Sequence, residues 1–318
     1  MKKFSVTEAI AEPFRQAGRR PMATIIWGLV LLAPTVMAFS AIIPLMLDLA
    51  ASGALDRGPG ADVAWGDEHF EAMMQFQIWS HLANIVQLFT VLLVTTAIFR
   101  AVFRGRGGDR AAFLRIGMHE LYVAVMGVTI VVGVIIAVVV AALLAVAIGL
   151  ALSGTPEPWR TLINVGMAVT LGVGFLALWG RLALLAPASL RYDTFAFVEG
   201  WKLGRGQTWR LAALLILIFL VAVVICIGFV ILIAIVAMLV GGGLAAANPE
   251  AMLAWLEGLP EQPALLVGLG LLFLLPMAWI QGFCQLLATA PFARVALDLA
   301  PDAEPGPAIS ADTAPIGH

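Results

Sequence analysis

The sequence predicts an all-α fold, a polytopic transmembrane bundle of six spans. Three observations predict it. The 318 residues are 62% hydrophobic and 12% charged, with a mean hydropathy of +1.00. A soluble domain of that composition lacks the polar surface to cover itself. The apolar residues gather into six blocks long enough to cross hydrocarbon, and nearly every Lys and Arg falls in one alternate set of the segments between them. A helix needs about 20 apolar residues to span a bilayer.

The blocks in order are Met22–Leu47, Phe76–Ile98, Leu121–Leu152, Leu162–Leu182, Leu211–Val240 and Ala264–Gln285. The first follows the basic residues Lys2 and Lys3, but its apolar run reaches about Leu49. That is too long for a signal-peptide core and reads as a retained helix. The third and fifth exceed the minimum length, yet neither has Pro or a polar turn at its middle. Each is therefore expected to be one long, tilted helix, because a turn in lipid would leave backbone groups unpaired.

Orientation follows from charge. The segments on one side hold 16 of the 18 basic residues, and the other side has only Arg57 and Arg160, while the 20 acids divide evenly. Short loops rich in Lys and Arg stay in the cytosol. Both termini are therefore expected to be cytoplasmic, in a bacterial inner membrane. Trp65, Trp79, Trp159 and Trp255 fall near outer ends, and Trp27, Trp179, Trp201 and Trp209 near inner ends, the belt arrangement of interfacial rings. Trp279 lies deeper and is expected to pack.

The spans pair as two, two and two, which suggests three parallel repeats at 4–104, 109–191 and 193–299. Ala9-Ile10-Ala11-Glu12-Pro13-Phe14-Arg15 matches Ala196-Phe197-Val198-Glu199-Gly200-Trp201-Lys202 in residue class, and Ala111–Gly117 is a looser copy. Arg100, Arg181 and Gln285 close the even-numbered spans, and Ala186-Pro187 and Ala290-Pro291 follow the last two. Two spans per unit give copies of one orientation. The basic segments are expected to form short interfacial helices. Ser5 with Glu8 fits a capping box, Asp193 or Thr194 could cap a helix over Phe195–Leu203, and Asp109 one over Ala111–Met118. In the first segment Phe4, Ile10 and Phe14 fall on one side. Such helices either lie flat, with bases toward anionic lipid, or brace the spans. Pro249–Leu256 is the outer counterpart. Pro301–His318 is too poor in apolar residues to pack.

Polar residues within spans are the default functional candidates. Gln77, Ser80, His81, Asn84 and Gln87 fall in a sector of roughly 120° on the second span, and Gln281 and Gln285 echo them on the sixth. The stripe either lines a path or supplies interhelical hydrogen bonds. Arg181 either snorkels at the inner interface, with Leu182–Leu190 turning along the membrane and bent near Pro187, or contacts an anion. Arg15, Arg100, Arg181 and Lys202 are the candidate contacts for anionic lipid. Gly133, Ala137, Ala141, Ala145 and Gly149 form a small-residue ladder on the third span that lets another backbone approach, either a neighbouring span or a second copy.

Several classes are disfavoured. A net charge of −2 gives no bulk case for nucleic-acid binding. Cys226 and Cys284 sit alone in apolar blocks, where a thiol is expected to act as a small buried apolar residue, so no disulfide framework and no metal or cofactor is expected. His119-Glu120 has no second His at the metalloprotease spacing, and the Gly-rich run after Arg104 lacks the Lys and Ser or Thr of a phosphate loop.

The layout of hairpins and basic segments, with Arg181…Ala186-Pro187…Arg191 followed by Glu199-Gly200-Trp201-Lys202, resembles the bacterial YciC-like membrane proteins and the membrane domain that accompanies some glycerophosphodiester phosphodiesterases. The resemblance implies an inner-membrane protein with lipid association. Only a short tail follows the sixth span here, so phosphodiesterase activity is not carried over. The expected function is a non-enzymatic, membrane- or lipid-associated scaffold. The alternative is a transporter of a lipid or small amphipathic solute along Gln77, His81, Asn84 and Gln281. Expected partners are membrane lipids and a second copy or another membrane protein.

Overall fold

The computed structural model describes residues 3–51, 67–104, 114, 117–238 and 263–300. Among these the chain is helical throughout, without strands. In order come α1 (Val6–Arg19), α2 (Pro21–Ala51), α3 (Asp67–Phe103), α4 (Met118–Ala151), α5 (Glu157–Leu182), α6 (Leu185–Tyr192), α7 (Phe197–Leu203), α8 (Thr208–Ala237) and α9 (Pro263–Leu299). The expected helix over Pro249–Leu256, the tail Pro301–His318 and most of Ala111–Met118 lie outside the described residues.

Six helices are long and apolar enough to cross a membrane: α2, α3, α4, α5, α8 and α9. The long third and fifth blocks are single helices, of 34 and 30 residues. No residue is buried in the apolar stretch of α4 or α5, and 6% are in that of α8. Surfaces so apolar and so open require lipid to cover them, and backbone in lipid must be helical. This is a membrane protein by the same physics that predicted it.

The described residues divide into two compact units, one of Met1–Gln16, Ile98–Ile231 and Leu287–His318, the other of Ala17–Ala97 and Leu232–Leu286. The core of the first is built from Phe4, Ala9, Leu184, Leu211, Leu214, Leu287 and Val295. Helix α1 packs into this core with one side. It buries Ala9, Glu12 and Gln16, and Gln16 Nε2 donates to Glu12 Oε1 at 2.7 Å. Phe4 is buried, but Phe14 is 49% exposed, so the two rings expected on one side part company. Only half of the capping box forms. The Glu8 N–H donates to Ser5 Oγ at 3.4 Å, while the Glu8 carboxylate faces Arg294 at 3.7 Å.

In the second unit α2 and α9 meet backbone to backbone. A Cβ on Gly28 would collide with the carbonyl of Ala278, and one on Gly282 with the carbonyl of Thr24. Trp27 is fully buried, so it packs in protein instead of joining an interfacial belt. Trp279 stacks on Phe283 with centroids 5.3 Å apart.

The turn after α5 departs from expectation. The chain breaks at Ala183 and Leu184, not at Pro187. A proline ring clashes with the carbonyl four residues earlier, here that of Ala183, and its missing N–H costs nothing in a first turn. Pro187 therefore sits in the first turn of α6, with the break just ahead of it. Residues Leu185 to Leu190 are all buried, so this stretch is packed by protein instead of lying along lipid. Asp193 does not cap α7. It holds the left-handed position that ends α6, with φ 51°, and its carboxylate lies 3.4 Å from His119.

Candidate functional site

Two arginines close spans in the sequence and receive different surroundings. Arg100, at the end of α3, is buried, and its guanidinium lies 2.7 Å from the carboxylate of Glu120 in the first turn of α4. Glu120 also accepts the Gly117 N–H at 2.7 Å. A buried charge persists only when it is paired and hydrogen-bonded, and both conditions hold. Arg100 is thus committed inside the protein.

Arg181, at the end of α5, has no carboxylate partner among the described residues. Its Nε and one terminal nitrogen donate to Thr208 Oγ1 at 3.1 and 2.8 Å, and its Cζ lies 5.3 Å from the centre of the Trp201 ring. Gly204 lets α7 close on the arginine stem: a Cβ there would sit 3.1 Å from Arg181 Cγ. Of five guanidinium N–H groups, two are used on the hydroxyl, and the others remain for a ligand.

Around Arg181 lies an open cavity of about 690 Å³ lined by Leu185, Phe197, Val198, Trp201, Lys202 and Arg205 besides the arginine itself. Three cations and no carboxylate line it. Among the described residues neither Lys202 nor Arg205 has an acidic partner. Helix α7 is held in place by close packing: a Cβ on Gly200 would meet Leu185 at 2.9 Å and Ala188 at 3.3 Å. Buried Ser189 ties the two helices, donating to the Leu185 carbonyl at 2.9 Å and accepting the Ala196 N–H at 3.2 Å. The glycine that reads as a breaker in the sequence is a packing device.

Other basic residues brace the fold. Arg15 pairs with Glu12 at 3.2 Å. Arg210 donates to the Phe4 carbonyl at 3.1 Å, and Arg294 pairs with Asp298 at 3.2 Å. Of the four cations singled out as lipid contacts, then, Arg181 and Lys202 share a cavity, Arg100 is internal, and Arg15 is tied within α1. Sequence reasoning missed Arg205 and Thr208. Arg205 lies in the turn just beyond α7, where no helical spacing links it to Lys202.

The polar stripe of α3 does not turn inward. Gln77, His81 and Asn84 are exposed and Ser80 and Gln87 are half-buried. Gln281 is exposed, whereas Gln285 donates to Thr95 Oγ1 at 2.8 Å. Cys226 is exposed on α8 rather than buried, and Cys284 is half-buried. Among the described residues no group of three His, Cys, Asp or Glu could hold a metal. No family model, curated protein or solved structure matches this chain.

Proposed function

We propose that this protein is a non-enzymatic scaffold of the bacterial inner membrane that holds anionic lipid at its cytoplasmic face. The observation that carries the reading is the cavity in which Arg181, Lys202 and Arg205 converge beside Trp201 with no acid among them. Cations without a paired carboxylate attract phosphate, and an indole beside them suits the headgroup layer. The segregation of 16 basic residues to one set of segments supports placing this cavity, and both termini, on the cytosolic side.

The reading extends the lipid association implied by the resemblance to YciC-like proteins. A threefold repeat fits it too. Arg100 reaches Glu120 in the first turn of α4, and Arg181 reaches Thr208 at the first residue of α8, so two span ends clasp the start of the next pair in a like manner.

The test is purification of the full chain in mild detergent with quantification of retained phospholipids. Enrichment of phosphatidylglycerol over phosphatidylethanolamine, relative to the membrane of origin, is expected, and it should disappear in Lys202→Gln/Arg205→Gln. Equal retention of both classes by the unaltered protein would refute the proposal.

A further inference from the structure

A second cavity, of about 500 Å³, opens between α4 and α5 and is lined by Ala137, Ala141, Ala145, Thr170, Gly174 and Leu178 among others. Three rungs of the small-residue ladder are therefore half-buried walls of a groove within this chain. A Cβ on Gly174, or on Gly133 or Gly166, meets nothing within 4 Å. The groove is apolar, since the Thr170 hydroxyl is spent on the Gly166 carbonyl at 2.8 Å.

The two cavities lie on one face of α5. At about 100° per residue, Thr170, Gly174 and Leu178 fall within about 80° of one another, and Arg181 lies inside that sector. Leu178 and Arg181 are one turn apart. From Arg181 to Thr170 the helix rises about 16 Å, close to half of the roughly 30 Å hydrocarbon core. The chain thus presents a cationic cavity and, on the same face of α5, an apolar groove about one leaflet deep.

We infer that these cavities form a single site for one anionic phospholipid, with the phosphate among Arg181, Lys202 and Arg205 and an acyl chain laid along the α4–α5 groove. The inference rests on the lipid-scaffold reading and sharpens it, because a diffuse basic surface needs no groove. The occupant is set by complementarity of both parts. A soluble anion would leave the apolar channel unfilled, and a second copy's helix would leave the cations without an acid.

The experiment is titration of the full chain in neutral detergent with phosphatidylglycerol, read by native mass spectrometry, alongside Gly174→Leu, which places a side chain in the groove at a position where a Cβ meets nothing within 4 Å, and Lys202→Gln/Arg205→Gln. Each variant should weaken lipid binding about tenfold or more, through lost apolar burial or lost charge, and glycerol 3-phosphate should compete poorly. Weakening by the charge variant alone would overturn the single-lipid site while leaving headgroup binding in place. No weakening by either would overturn both readings. Competition by glycerol 3-phosphate at the lipid's own affinity, or a change of oligomeric mass in Gly174→Leu with lipid retained, would also overturn the site. Phosphatidylglycerol bearing a diazirine on its acyl chain gives a check on the unaltered protein. Crosslinks should map to 137–145 and 170–178, and crosslinks elsewhere would contradict the groove.

Discussion

The ends of α3 and α5 carry the same residue at the same place in the layout, and they put it to different uses. Arg100 is 8% exposed and bound to a buried carboxylate. Arg181 is half-buried, leans on a hydroxyl and an indole, and borders an open cavity with two further cations. The difference is the partner. An acid of opposite charge closes the first site and makes the arginine a brace. A neutral hydroxyl orients the second and leaves its charge uncompensated, which is what a ligand site needs. Charge that looks uniform along the basic segments thus separates into residues that hold the fold and residues that face outward.

The comparison is broken most severely at Glu120. Glu120→Ala should cost about 3–5 kcal/mol, because it strands a buried guanidinium, and unfolding monitored by circular dichroism in detergent would read it. Replacing both partners, Arg100→Met with Glu120→Leu, should recover most of that loss. If Glu120→Ala proved as stable as the parent, the brace would not exist.

A second contrast sets packed glycines against open ones. Gly28→Leu must separate α2 from α9 and should cost about 1–3 kcal/mol or more, whereas Gly174→Ala, facing open space, should stay within about 0.5 kcal/mol. The same melting curves distinguish them. Equal effects would mean that the α4–α5 groove is as tightly packed at Gly174 as the α2–α9 contact is at Gly28.

Smaller still, Thr208→Val should cost about 1 kcal/mol by removing the hydroxyl that accepts from Arg181, and it should also loosen lipid retention, since the guanidinium loses its orientation. At the bottom of the scale, a double-mutant cycle on Gln285 and Thr95 should return a coupling of about 0.6 kcal/mol, the ordinary worth of an interhelical hydrogen bond in a membrane protein.

The six spans were legible because lipid imposes length and apolarity on any crossing helix, and α2, α3, α4, α5, α8 and α9 follow the predicted blocks. Partnership was not legible. Arg100 and Glu120 are 20 residues apart, and nothing local says that one arginine will meet an acid and the other a threonine. Local rules also misled where tertiary packing took precedence. Asp193 looked like an N-cap and serves as a left-handed stop, and Trp27 looked interfacial and is buried. Ala-Pro pairs behave differently too: Pro187 lies in the first turn of a new helix after a break, while Pro291 lies within the continuous α9. Half of the candidate site was visible as Arg181 and Lys202. Arg205 and Thr208 required the fold that sets α7 and α8 against α5.

The division between braces and ligands is tested most directly by thermal unfolding of the full chain in neutral detergent, with and without added phosphatidylglycerol. Lipid should raise the midpoint of the parent protein, and of Glu120→Ala from its lower start, because both keep the cationic cavity. It should leave Lys202→Gln/Arg205→Gln unmoved. An equal rise in that double variant and in the parent would contradict the account.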